Sequence, residues 1–300
     1  MIIDFQNLNT EKNTSLPYLK HVYTINGNYN IEIKNFRAGK NLAKGEFRNL
    51  IMAHSKGNSI KLTNVDLSRC MAPAELFKHV ELNELRLDNV KFCDCADLTG
   101  YFSNSKILHH NLCDFGIRGA KDISFMFDGA DIRNLKVDHW DTTSLEKAKW
   151  CFSDQQVDTM NLSGWDTSNL KDAEAIFKDC KIDTLILDWN NAVNLSDITR
   201  MFAYSEIGYL SLRGMNLDIH GKFSVFMGCG IKVLDLRNAT LPKSDRIVAL
   251  HWFNGSKIEY ILYDRPDEFD QNTPLFANKR PLVVENIDSI PYYSKYNIRR

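Results

Sequence analysis

The residues best suited to chemistry in this sequence are one histidine pair and seven cysteines. Adjacent imidazoles could hold a metal ion, and His109 and His110 are the only neighbouring histidines. They fall on a predicted strand, where consecutive side chains point to opposite faces, so a shared ion is not expected. Cys93 and Cys95 have no matching second pair and the cysteine count is odd, which disfavours a zinc site and a disulfide framework.

The other cysteines and the carboxylates fit a structural role better than a chemical one. Most cysteines share columns of the repeat described below with small or apolar residues, and we interpret them as core residues. Cys113 falls on the outer face instead, where it is either reactive or exposed and inert. Asp138 and Asp188 are two repeats apart, too far to share a proton. Since phosphate-binding, nucleophile-elbow and metalloprotease motifs are absent from the sequence, we predict no catalytic residue, no metal and no cofactor.

A repeat of 25 residues dominates the chain. Phenylalanine recurs at this interval, and the series is Phe77, Phe102, Phe127, Phe152, Phe177 and Phe202. The same step carries a motif of the form apolar-x-x-apolar-x-apolar, as in Ile182, Leu185 and Leu187. The alternation at the end of this motif indicates a short strand with one buried face.

A second periodicity lies between each strand motif and the phenylalanine. Apolar residues there fall at i, i+3, i+6 and i+7, as in Leu170, Ala173, Ile176 and Phe177. This spacing is typical of the apolar stripe of a short helix. We therefore predict an α/β repeat protein, a leucine-rich-repeat solenoid of about eight 25-residue repeats, capped at both ends. It would have one parallel β-sheet and short helices on the opposite side.

The extent of the repeat predicts three parts. These are an N-terminal cap, the solenoid, and a C-terminal cap with a tail, at residues 1–58, 59–263 and 264–300. Asn26 and Gly27 lie between β-prone runs and predict a hairpin, and residues 40–55 predict a helix that stops at Gly57. One β-prone run, at 282–284, lies among the C-terminal prolines. A solenoid needs its first unit covered, so a cap is the simpler interpretation of the N-terminal part, and a separate functional module is the alternative.

The motifs GWDTSNL at 164–170 and HWDTTSL at 139–145, followed by IFKDCKI and CFSDQQV, carry a family resemblance. They resemble the BspA-like leucine-rich-repeat family of the DUF285 type, over about residues 60–260 and most strongly over 132–207. The resemblance implies a strand, an aromatic-Asp-Thr-Ser-Asn corner and a Met-Phe helix end in each repeat, and it implies no catalytic residues. Many members of that family are surface or secreted proteins thought to bind host molecules. This sequence lacks their signal peptide, lipid-attachment cysteine and cell-wall sorting motif, which favours an intracellular partner or delivery by an unusual route.

The corner motif also has a physical interpretation. Asp166, Thr167, Ser168 and Asn169 are turn and N-cap residues, so they can satisfy the N–H groups at the start of a helix. Trp140 and Trp165 lie one repeat apart, so we predict that they stack beside Phe115 at the margin of the sheet, and a ligand-stacking role is the alternative.

A candidate binding surface follows from the outward strand positions, which form ladders along one face. In the second half of the solenoid several of them are apolar, aromatic or basic, with a tryptophan beside them. The set is Ile186, Trp189, Tyr209, Val233, Tyr260, Leu262, Arg213 and Arg237. Because exposed apolar residues mark interaction sites, we predict that these residues bind a partner. The alternative is that the C-terminal cap folds over them.

Composition narrows the class of partner. The net charge is −1 and no run of apolar residues is long enough to span a bilayer, so neither nucleic acid nor membrane insertion is predicted. We expect a cytoplasmic protein, or a secreted or surface protein if the sequence is a processed form. The predicted function is a non-enzymatic protein-binding module, monomeric or weakly oligomeric, such as an intracellular regulator or an inhibitor of a host protein. The alternatives are a structural or adhesin component of a surface or virion, and an enzyme subunit with its catalysis in the caps.

Overall fold

The chain is a parallel β-solenoid of about eight turns, consistent with a leucine-rich-repeat-like fold, and this confirms the predicted architecture. The computed structural model describes residues 2–4, 30–37, 44–67, 75–91, 97–112, 115–132, 135–242, 251–264 and 281–290. Internal contacts divide the chain into unit one, Met1–Lys136, and unit two, Val137–Arg300.

Unit one holds a six-stranded parallel sheet in chain order. Its strands are β1 (Ile2–Asp4), β2 (Ile31–Lys34), β3 (Lys56–Thr63), β4 (Glu81–Asp88), β5 (Lys106–His110) and β6 (Asp131–Ile132). Equivalent residues of successive repeats are partners, as with Leu82 and Ile107, so the inward apolar residues align. Only two residues of β6 pair with β5, and the sheet ends there within the described residues.

Unit two holds a second six-stranded parallel sheet, so the described residues form two sheets where the sequence predicted one. Its strands are β7 (Gln156–Asn161), β8 (Lys181–Ile186), β9 (Glu206–Ser211), β10 (Gly230–Asp235), β11 (Lys257–Leu262) and β12 (Leu282–Val284). Leu185, Leu210, Leu234 and Ile261 form one inward column, and all four are completely buried. Stacking such columns buries apolar area that no single repeat could bury alone.

The phenylalanine series forms an aromatic column inside each unit. In unit one, Phe102 stacks between Phe77 and Phe127, with ring centroids 5.3 Å apart on each side. In unit two, Phe177 stacks on Phe152 at 5.8 Å and on Phe202 at 5.9 Å. Offset or stacked rings at such distances add to the energy of burial itself, so the column fixes the register of the layers.

The predicted short helices are wrong, because the apolar stripe lies in tight turns. Within each turn two residues adopt left-handed backbone angles, for example Ala175 with φ 53° and Asp179 with φ 59°. Alternate N–H groups donate to the next layer, as from Ala173 to the Asp197 carbonyl at 2.8 Å and from Ala175 to the Thr199 carbonyl at 2.9 Å. In an α-helix these N–H groups would donate to carbonyls of the same segment. Here they donate to the next layer instead and form a second ladder of hydrogen bonds that joins successive turns.

The described part of the N-terminal region contains the predicted helix. This helix, α1 (Lys44–Ala53), buries Phe47, Leu50 and Ile51, and it ends before Gly57, which lies in β3. Arg48 donates from Nη2 to the carbonyl of Lys78 at 3.4 Å, so the helix contacts the first described turn. The predicted turn at 26–27 lies outside the described residues, and β2 pairs in parallel with both β1 and β3.

Candidate binding surfaces

The structure corrects the exposure expected of the predicted binding residues. Four of the eight are buried, namely Trp189, Tyr209, Val233 and Leu262. The other four are half-buried, namely Ile186, Arg213, Arg237 and Tyr260. The apolar patch predicted on the second half of the solenoid is therefore covered within the chain itself.

Trp189 is buried because it continues a tryptophan column. Its ring stacks on Trp165 at 6.2 Å, and Trp165 stacks on Trp140 at 6.1 Å. The indole of Trp189 donates to the Leu162 carbonyl at 3.1 Å, and that of Trp165 donates to the Val137 carbonyl at 2.8 Å. Burial with a satisfied N–H explains Trp165 and Trp189 structurally. The ring geometry confirms the predicted stacking of Trp140 on Trp165.

The remaining buried residues lie beneath the C-terminal segment, residues 281–290. Its strand β12 pairs in parallel with β11, with Ile261 opposite Val283. A single 3-10 turn, Ile287–Ser289, follows, and the Asn286 side chain caps it by accepting from the Asp288 N–H. Ile287 and Ile290 then pack on Tyr209, Val233 and Leu262 as one apolar cluster. We call Tyr209, Val233 and Leu262 the apolar strand face. The C-terminal segment covers this face, which matches the alternative in which the C-terminal cap folds over the patch.

A buried ionic network lies beside the apolar strand face. Asp235 is fully buried and receives two hydrogen bonds from the Arg237 guanidinium, from Nε at 2.9 Å and from Nη2 at 2.6 Å. The Tyr209 hydroxyl donates to the same carboxylate at 2.8 Å. Burial, followed by the adjacent Asp235 charge, raises the pKa of Tyr209 well above its usual value of 10. The charge of Asp235 is thus compensated within the solenoid, as a buried carboxylate requires.

Unit one presents a different surface, the charged strand face, formed by outward residues of β2, β3 and β4. Its members are Glu32, Lys34, Lys61, Glu84, Arg86 and Asp88. Lys61 bridges two strands, since its ammonium lies 3.4 Å from Glu32 and 3.6 Å from Asp88. These side chains are partly exposed and lie in strand register, so the face is an ordered pattern of both charges.

Among the residues first considered for metal or redox chemistry, the structure describes the histidine pair and three of the cysteines. The ring Nδ1 of His110 accepts from the Leu112 N–H at 3.1 Å, while His109 is exposed. Cys151, Cys180 and Cys229 are buried free thiols, as predicted, and burial raises the pKa of Cys180 and of Cys229 to about 12. Inert, protonated thiols are expected at such positions. The remaining cysteines lie outside the described residues.

Sequence reasoning missed one group of carboxylates at the start of the turns. Oxygens of Asp172, Glu174 and Asp197 lie within 4.8 Å of one another. Asp172 and Asp197 each accept from the N–H two residues later, at 2.9 and 2.8 Å, so both carboxylates shape the turn. Burial, with Asp197 as the largest like charge, raises the pKa of Asp172. The signal that could have revealed the group was an aspartate recurring at the repeat interval, at 97, 122, 172 and 197.

The Asp235 network was also missed, although its signal was visible. Asp235 falls in an outward column between Ser211 and Leu262, and it is the one charged residue among Ile186, Ser211, Asp235 and Leu262. A lone acid in such a column needs a partner, and Arg237, two residues later, supplies one on the same strand face.

These features define a parallel β-solenoid repeat protein with outward strand faces. A family model described as "Mycoplasma protein of unknown function, DUF285" matches residues 46–162 and 96–208, which together span more than half of the chain. The chain belongs to the DUF285 family. Neither a curated protein nor a solved structure matches it significantly. In the described part of the chain, the helices are all too short or too polar to cross a membrane.

Proposed function

We propose that the chain is a non-enzymatic protein-binding module and that the charged strand face contacts its protein partner. The observation that carries the proposal is the ladder of partly exposed charges of both signs that the parallel register holds across β2, β3 and β4. Such a pattern suits recognition, because complementary charge gives specificity and speeds association.

The energetics of these charges support binding over a stabilising role. Exposed ion pairs contribute only about 0–1 kcal/mol each to folding. The pairs of Lys61 with Glu32 and Asp88 are of this kind, with side-chain exposures of 42%, 21% and 37%. A partner can therefore replace them with its own charges at little cost to the stability of unit one.

The geometry of the face favours contact over catalysis. Adjacent strands lie about 4.8 Å apart, so a ladder spreads its side chains over a wide area. On the charged strand face, the titratable groups pair across and along strands and do not converge on one reacting position. The face is thus suited to a macromolecule more than to a small substrate.

A capture experiment with matched charge reversals tests the proposal. The full chain, the Lys61→Glu/Arg86→Glu variant and a control with Lys181→Glu/Lys257→Glu would each be used as bait in lysate of the organism that encodes the protein. The control residues are exposed strand-start lysines of unit two. We expect at least one protein to be retained by the full chain and by the control, lost by the face variant, and released by raised salt. Identical protein sets from all three baits, with all three folded, would refute the proposal.

A further inference from the structure

The outward side of β9, β10 and β11 is not free solenoid surface, because the C-terminal segment of the same chain lies on it. Tyr209, Val233 and Leu262 are buried there by Ile287 and Ile290 of the C-terminal segment. We propose that the apolar strand face is a peptide-binding site, closed in cis by the C-terminal segment. It accepts an acidic segment of a partner protein that forms a short strand and then a single turn, with two aliphatic residues three positions apart. This site lies in unit two and does not depend on the charged strand face.

The resident segment defines the chemistry of the ligand. Its first part adds a parallel strand of three residues to the edge of the sheet, which is β-augmentation by backbone hydrogen bonds. Its second part places Ile287 and Ile290 on the apolar strand face, and Val284 packs against the same cluster. A ligand therefore needs a short β-strand followed by two aliphatic side chains at i and i+3.

Charge complementarity adds a second requirement. The segment carries the exposed acids Glu285 and Asp288 and contains no basic residue. The strands beneath it carry the half-buried Arg213 and Arg237, at equivalent positions just beyond β9 and β10. Because Arg237 is already paired with Asp235, Arg213 is the basic residue that would attract an acidic partner segment.

The site is organised without its occupant. The aromatic column of unit two runs through Phe226 to Phe253, and within the described residues the C-terminal segment adds no ring to it. Asp235 is compensated by Arg237 and Tyr209, which both belong to the solenoid. Removal of the segment therefore uncovers apolar surface but leaves no unpaired buried charge, so the face can persist in an open state.

Fewer than half of the ten side chains of the segment are buried. Its buried side chains in the described part are Pro281, Val283, Ile287 and Ile290. Ordering ten residues costs backbone entropy comparable in size to what these contacts return. Elements with few buried contacts open locally at low free energy, which would make the segment exchangeable.

The test uses a fluorescein-labelled peptide with the sequence of residues 281–290, titrated with the full chain in three forms and followed by fluorescence anisotropy. The three forms are the wild type, the Ile287→Asp/Ile290→Asp variant and the Leu282→Asp variant. The double variant releases the resident segment. The Leu282→Asp variant is the control, because Leu282 lies in the same segment but is 56% exposed. We expect the released variant to bind the peptide at least tenfold more tightly than wild type and the control to behave as wild type. A peptide with both isoleucines changed to aspartate should not bind.

Three results would overturn the proposal. One is a folded Ile287→Asp/Ile290→Asp variant that binds the peptide no better than wild type. Another is loss of the cooperative unfolding transition in that variant, since the segment would then be an integral part of the solenoid. The third is a dimer in light scattering that the peptide dissociates, which would assign the site to a second copy of this chain.

Discussion

Replacing Asp235 by alanine should destabilise unit two by about 3 kcal/mol. Removal of one partner from a buried ion pair costs about 3–5 kcal/mol, because the other charge is left uncompensated. The Arg237 side chain is 20% exposed and can regain some hydration, which places the expected loss at the lower end. Tyr209→Phe removes only one hydrogen bond to the carboxylate, and about 1.5–3 kcal/mol is expected for a bond to a charged group.

Tryptophan fluorescence during urea unfolding is a suitable assay, because all five tryptophans lie in unit two. Asp183→Ala is the matched control, since Asp183 is an exposed acid on a strand of the same sheet. It should change the free energy of unfolding by less than about 0.5 kcal/mol. If Asp235→Ala is no more destabilising than Asp183→Ala, the carboxylate is not compensated in the way described, and the argument fails.

The network also predicts a dependence on alkaline pH. The pKa of Tyr209 is raised in the folded state above the usual value of 10, so the folded state retains a proton that the unfolded state loses. The resulting stabilisation is complete below pH 10 and is lost as the pH rises through the folded-state pKa. Above pH 10 the unfolding free energy of the wild type should therefore fall more steeply than that of Tyr209→Phe. Parallel curves for the two proteins would contradict this assignment.

Two further predictions concern the turns and the buried thiols. Gly228→Ala should destabilise more than Gly255→Ala by about 0.5–1 kcal/mol in thermal unfolding. Both glycines have positive φ, but a Cβ at Gly228 would lie 2.6 Å from the Tyr204 ring and displace that ring from its cation–π contact with Lys178. A Cβ at Gly255 would make only ordinary contacts. Equal losses of stability in the two variants would contradict the clash at Gly228. Cys180 and Cys229 should resist iodoacetamide in the folded protein at pH 8 and react with it in urea, because burial raises the pKa of both thiols to about 12. Peptide mass spectrometry measures the labelling, and rapid labelling of the folded protein would contradict the burial of these thiols.

The sequence was sufficient for the repeat, its length and the inward residues. Phenylalanines 25 residues apart and the alternating strand motif predict a stacked repeat, because only stacked layers bury every member of such a series. The column of Phe152, Phe177 and Phe202 confirms this. The apolar spacing between strand and phenylalanine was misread as helical because periodicity alone does not record backbone angles. Left-handed residues such as Ala175 carry no glycine signal, and they turn the same stripe into a ladder between layers.

The tertiary structure decided which outward residues are available. An outward strand position is exposed only if no distant segment covers it, and local pattern contains no information about such contacts. The sequence pattern therefore predicted an exposed patch at Tyr209, Val233 and Leu262. In the structure, Ile287 and Ile290 cover these residues, although they lie at least 25 residues further along the chain. The sequence thus determined the direction of each side chain relative to its own strand, while folding of the C-terminal segment determined what that side chain meets.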